Sequence, residues 1–72
     1  MSNQEEITQY NILQSIENGE RISQRQLSLQ LGINVASINF ALKKLTKKGL
    51  VKMLGVNPRR IRYILTPKGI AE

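Results

Sequence analysis

Apolar residues recur at helical spacing near the start of the chain, where Ile7, Tyr10, Ile12 or Leu13, and Ile16 fall on one face of a helix predicted over residues 4–18. Asn3, with Glu6 three residues on, has the pattern of a capping box, and Asn18-Gly19 is a helix stop. A second helix is predicted over 23–31, opened by Ser23 with Gln26 in the reciprocal capping position and closed by Gly32. Asn34 then caps a third helix over 34–48, and Ile33 and Ile38 stand at the spacing of a hydrophobic staple across its start. Along this third helix Val35, Ile38, Ala41, Leu42 and Leu45 share one face, while Ala36, Ser37, Asn39, Phe40, Lys43, Lys44 and Lys47 share the other.

After Gly49 the period changes from helical to alternating. Residues 50–54 and 61–65 predict two strands of a hairpin spanning 50–65, with Ile61, Tyr63 and Leu65 on one side and Arg62 and Ile64 on the other. The Gly, Asn and Pro of Gly55-Val56-Asn57-Pro58-Arg59-Arg60 mark the loop between them, and Arg21-Ile22 is a candidate third strand. Thr66-Pro67 has the form of an N-cap and first helical residue, opening a last helix over 66–72 that the chain leaves almost at once, as a fragment of a longer protein would. The expected fold class is α+β, a single domain over 1–72 with three helices and a two- or three-stranded antiparallel β wing. A chain of 72 residues buries only about 60% of the surface its unfolded form exposes, so the core is small.

Charge changes this picture more than composition does. Of five acids, Glu5, Glu6, Glu17 and Glu20 lie in the first twenty residues and Glu72 ends the chain, whereas all eleven bases fall between Arg21 and Lys68. That acid-free stretch repels itself, and a polyanionic partner is the usual reason for such a field; an unpaired solubilising surface is the bland alternative. With neither Cys nor His in the chain, thiolate and imidazole metal sites, Cys or His nucleophiles and a Ser-His-Asp triad are excluded. Glu5 and Glu6 diverge on a helix and suit the positive end of its dipole better than a catalytic pair. No catalytic residue, metal or cofactor is expected. The first residues lack the basic and apolar regions of a signal peptide, and no apolar run approaches the roughly 20 residues that span a bilayer. A cytoplasmic protein with no membrane partner is therefore expected.

Two helices joined by a short Gly-containing turn, the second with a basic outer face, form a helix-turn-helix unit. Leu27, Leu31, Ile33, Ile38 and Ala41 are apolar where the two helices pack, and Ser28 is small where they approach. A major groove about 12 Å wide accepts one helix, and side chains near that helix's N-terminus read base edges. Ala36, Ser37, Asn39 and Phe40 are the base-reading candidates, with Lys43 next on the same face. Asn39 suits a bidentate contact to adenine. Phe40 has three readings, namely contact with a thymine methyl, packing against the wing, or burial in a partner. Lys44, Lys47 and Lys48 are candidates for phosphates, although Lys47 and Lys48 also complement a helix C-terminus. Arg59, Arg60 and Arg62 at the hairpin tip suit a minor groove or phosphates, and Arg25 near the start of the second helix suits a phosphate. Leu29 falls off the core face.

Residues 27–51, LSLQLGINVASINFALKKLTKKGLV, followed by a hairpin and Leu65-Thr66-Pro67-Lys68-Gly69, resemble the winged helix-turn-helix regulators of the MarR superfamily. The Ile38-Asn39-Phe40 stretch, the KKGLVK run and the YILTPKG ending are most similar to the small MarR-type regulators associated with exopolysaccharide operons. The resemblance spans residues 12–71. It implies that the third helix is the recognition helix, that residues 57–60 form the wing tip, and that the chain regulates transcription on double-stranded DNA, usually as a homodimer. Two departures stand out: many members carry a basic residue where this chain has Phe40, and the long C-terminal helix that usually pairs subunits is missing. The function expected is sequence-specific binding of double-stranded DNA. A winged-helix protein-interaction module, or the N-terminal regulatory domain of a longer protein, is the alternative.

Overall fold

The computed structural model describes residues 4–71, in the order α1 (Gln4–Ser15), α2 (Gln24–Leu31), α3 (Val35–Lys47), β1 (Val51–Leu54), a 3-10 turn at Pro58–Arg60, β2 (Arg62–Leu65) and α4 (Pro67–Ala71). Local chemistry sets most of these ends. Ser23 Oγ accepts from the Gln26 N–H at 3.1 Å while the Ser23 N–H donates to Gln26 Oε1 at 2.9 Å, completing the capping box that opens α2. Asn34 Oδ1 accepts from the Ser37 N–H at 2.9 Å and opens α3. Between the two helices Gly32 takes a left-handed φ of 67°, which costs a residue without a Cβ nothing, and its N–H donates to the Ser28 carbonyl at 2.9 Å. Ser28 Oγ donates to the Ile33 carbonyl, so one small side chain ties both ends of the turn.

Eleven side chains form the core: Ile12, Ile16, Ile22, Leu27, Ile38, Ala41, Leu42, Leu45, Leu50, Val51 and Tyr63. Leu13, Leu31, Ile33, Ile61 and Leu65 pack against it from the edges. The face that α1 buries differs from the one its periodicity predicts. Ile12 and Ile16 are buried as the periodicity predicts, but Ile7 and Tyr10 are exposed, and Thr8 and Gln9 point inward in their place. The reason lies on α3, whose edge toward α1 carries Lys44 and Lys48. Lys44 pairs with Glu5, Lys48 Nζ donates to Gln9 Oε1 at 2.6 Å, and Gln9 Nε2 donates to Glu5 Oε1 at 3.4 Å. A polar seam requires polar residues on both sides, and this rolls Ile7 and Tyr10 outward. Ser15, rather than Asn18, ends α1. The Asn3 half of the expected capping box lies outside the described residues.

Val35 is a second correction. It is 47% exposed at the first turn of α3 instead of belonging to the core face. The hairpin is two-stranded and antiparallel, with Val51 opposite Leu65 and Met53 opposite Tyr63. Ile22 adds a single bridge to Tyr63 rather than a third strand, its N–H donating to the Tyr63 carbonyl at 3.0 Å and its carbonyl accepting from the Tyr63 N–H at 2.7 Å. Gln24 Nε2 donates to the Tyr63 hydroxyl at 3.1 Å, so β2 is stitched to the first turn of α2 as well as to β1. The loop between the strands holds a turn. Asn57 Oδ1 accepts from the Arg59 N–H at 3.0 Å, and the Asn57 carbonyl accepts from the Arg60 N–H at 2.8 Å, giving Arg59 and Arg60 a defined backbone.

Thr66 caps α4 and also reaches back across the fold. Its hydroxyl accepts from the Gly69 N–H at 3.0 Å and donates to the Gly49 carbonyl at 2.6 Å, while Lys68 Nζ donates to the Lys48 carbonyl at 3.1 Å. The carbonyls of Lys48 and Gly49, just past the end of α3, thereby find partners. Gly69 allows this docking, because a Cβ there would run into the Leu50 carbonyl.

Candidate nucleic-acid interface

With Ile38, Ala41, Leu42 and Leu45 turned into the core, the 3.6-residue period sends Ala36, Phe40, Lys43 and Lys47 to the opposite side of α3, where all four are exposed. Ser37, in the first turn, is also exposed, and Asn39 is half-buried at the edge of this face. The hairpin lies along that same edge. Asn39 and Lys43 line one shallow depression together with Met53 and Ile61, so the helix and the hairpin enclose a common groove. Met53 and Tyr63 pair across the strands, and Tyr63 at the groove floor is held by Ile22 and Gln24.

A second depression brings three cations together from distant parts of the chain. Arg25 from the first turn of α2, Arg59 from the hairpin turn and Arg62 from the start of β2 line it with Val35. Arg62 Nη1 donates to the Ile61 carbonyl at 3.0 Å, which fixes its stem while the group remains partly exposed. Arg60 is exposed beside Arg59 on the capped turn. Arg25, Arg59 and Arg62 are thus joined to the N-terminal end of α3, and Asn39 and Lys43 to its middle.

The remaining sequence candidates divide between open surface and the α1 seam. Lys47 is exposed in the last turn of α3. Lys44 is instead turned toward α1, paired with Glu5, with its ammonium 4.8 Å from the centre of the Phe40 ring. Lys48 reaches Gln9 in the same seam. Ala36, Ser37 and Phe40 border a further depression against α1, beside Glu5 and Thr8. Sequence reasoning missed Val35, Gln24, Met53 and Ile61 as neighbours of the cationic groups. Their placement follows from the register of the hairpin and the Ile22–Tyr63 bridge, which no local pattern announces. Glu5 was legible only as a first-turn acid, since its partner lies nearly forty residues away.

Among the described residues no cluster of His, Cys, Asp or Glu could hold a metal ion, and no helix is long and apolar enough to cross a membrane. What the surface offers is donors and cations along an exposed helix flanked by an arginine-bearing hairpin, within a molecule measuring 37 × 26 × 19 Å.

Residues 5–52 match the family model described as winged helix-turn-helix DNA-binding. No curated protein matches the sequence. Among solved structures, a MarR family transcription regulator superposes with a TM-score of 0.81 at 27% identity, over 90% of this chain and 44% of that one. The transcriptional regulator BldR from Sulfolobus solfataricus gives a TM-score of 0.80 at 27% identity, over 90% of this chain and 48% of its own. A single-residue mutant of MepR from S. aureus shares the fold at a TM-score of 0.68 and 20% identity, over 99% of this chain and 50% of its own. The chain spans about half the length of each of these structures.

Proposed function

The chain belongs to the winged helix-turn-helix DNA-binding family, and we propose that it is the duplex-docking part of a transcription regulator, with no catalytic step of its own. In this reading α3 enters the major groove. Ala36, Ser37, Asn39 and Phe40 face base edges, Lys43 and Lys47 follow along the groove, and Arg59, Arg60 and Arg62 lie on the adjoining backbone or minor groove. Arg25, at the N-terminal end of α2, adds a phosphate contact where free amides and the helix dipole also favour an anion. The observation that carries the proposal is the shared depression of Arg25, Arg59, Arg62 and Val35, which supports one cationic surface built from three elements.

Pairing of two copies in the cytoplasm belongs to the same proposal. Exposed Tyr10 and Ile70 flank half-buried Leu13 and Leu65 around a depression between α1 and α4 whose rim also carries Glu6, Gln14 and Lys48, a mixed apolar and polar surface for a second copy. Two copies would then read a site with two-fold symmetry.

Titration of a labelled duplex at several salt concentrations tests the reading. With about four to six phosphates contacted per domain, log affinity falls against log salt with a slope of roughly −4 to −5. A slope near zero contradicts it, and retention on an acidic protein without any retardation of duplex favours a protein-interaction module.

A further inference from the structure

Phe40 sits in the middle of α3 with 52% of its surface exposed, although burying an aromatic ring is among the largest gains open to a small core. Ala36, one turn earlier, is exposed as well, so two apolar side chains form a strip on a face otherwise made of Ser37, Lys43 and Lys47. The ring does not lean on the hairpin. It borders the depression toward α1, with Ala36, Ala41 and Thr8, while the groove against the hairpin is lined by Asn39 and Lys43. Its place is set by charge. The Lys44 ammonium stands 4.8 Å from the ring centre, and Glu5 of α1 pairs with that ammonium. The ring is held from one side and open on the other.

A phosphate oxygen gains nothing from such a surface. On the floor of the major groove the apolar group that projects from a base is the 5-methyl of thymine. We infer that Phe40, with Ala36 beside it, is a specificity-determining residue that reads a thymine 5-methyl group, and that Lys44, anchored by Glu5, is a positioning residue that holds the ring. This rests on the docking of α3 in the major groove proposed above.

The test begins with selection of a binding duplex from a random pool by the full chain. Each thymine of that duplex is then replaced by deoxyuridine, which removes the methyl and leaves base pairing unchanged. At one or two positions affinity drops about fourfold, the factor carried by one buried methyl. In the Phe40→Ala variant, first checked for a cooperative unfolding transition like that of the native chain, the same replacements have no effect. Lys44→Ala reduces the thymine-to-uracil ratio toward one, and Lys44→Arg, which keeps the cation over the ring, restores it. The inference is overturned if every uracil duplex binds as tightly as its parent, or if discrimination persists in Phe40→Ala. A pool that yields no enriched duplex overturns the docking reading itself, and the inference with it.

Discussion

A lysine on the recognition helix ordinarily counts as a phosphate contact, but the ammonium of Lys44 is already paired with Glu5 and stands over the Phe40 ring. Such a charge releases few counterions when DNA arrives, whereas that of Lys47, exposed on the last turn, is free to do so. Lys47→Ala is accordingly expected to flatten the salt slope of duplex binding by about 0.9, and Lys44→Ala to leave it in place; parallel titrations of the two variants decide this. Single residues were legible in the sequence where their chemistry is local. Ser23 with Gln26, Asn34, and Thr66 before Pro67 each act on a backbone N–H within three residues, and each does so in the structure. Ile7, Tyr10 and Val35 were misread because helical spacing identifies an apolar stripe but not what stands opposite it. For α1 the opposing residues are Lys44 and Lys48, which select Glu5 and Gln9 over a bulkier apolar face.

The elements are held in their working arrangement by a few contacts between distant residues. Strand β2 is tied to α2 through the Ile22–Tyr63 bridge and the Gln24–Tyr63 hydrogen bond, and this sets where the hairpin arginines stand relative to α3. Tyr63→Phe removes the hydroxyl acceptor from a largely buried ring and is expected to cost about 1 kcal/mol in urea unfolding. Duplex binding weakens in parallel as β2 loosens from α2. At the other end, α4 packs its glycine on the Leu50 carbonyl. Gly69→Ala is expected to destabilise the domain by about 1–3 kcal/mol, read as a lowered midpoint of thermal unfolding. The helices and hairpin could be read from period and punctuation, because three of the breaks are glycines or their neighbours at Gly19, Gly32 and Gly49, all with positive φ. The single-bridge form of Ile22 and the capped turn at Asn57 could not be read from period, since the first depends on tertiary contact and the second occupies three residues within a loop.

At the scale of the whole molecule, eleven bases and five acids, with the acids confined to the two ends of the chain, leave most of the fold positively charged. Like charges on a small domain oppose its compaction, and salt screens them over about 10 Å at 0.1 M. Raising ionic strength from about 10 mM to about 150 mM is therefore expected to raise the unfolding midpoint, while the same change weakens duplex binding. The opposite responses separate self-repulsion from partner attraction. Charge asymmetry, the helix-turn-helix pattern and the hairpin were all visible along the chain, but the convergence of Arg25, Arg59 and Arg62 on Val35 was not. That convergence is a property of the packed molecule. The central claim, that α3 and the hairpin act on one duplex together, is tested most directly by comparing the native chain with a Lys43→Ala, Arg60→Ala variant in duplex titrations across salt. One cation removed from each element should flatten the slope by about 1.8 in total and weaken binding at low salt. Equal affinities and equal slopes for the two proteins would contradict it.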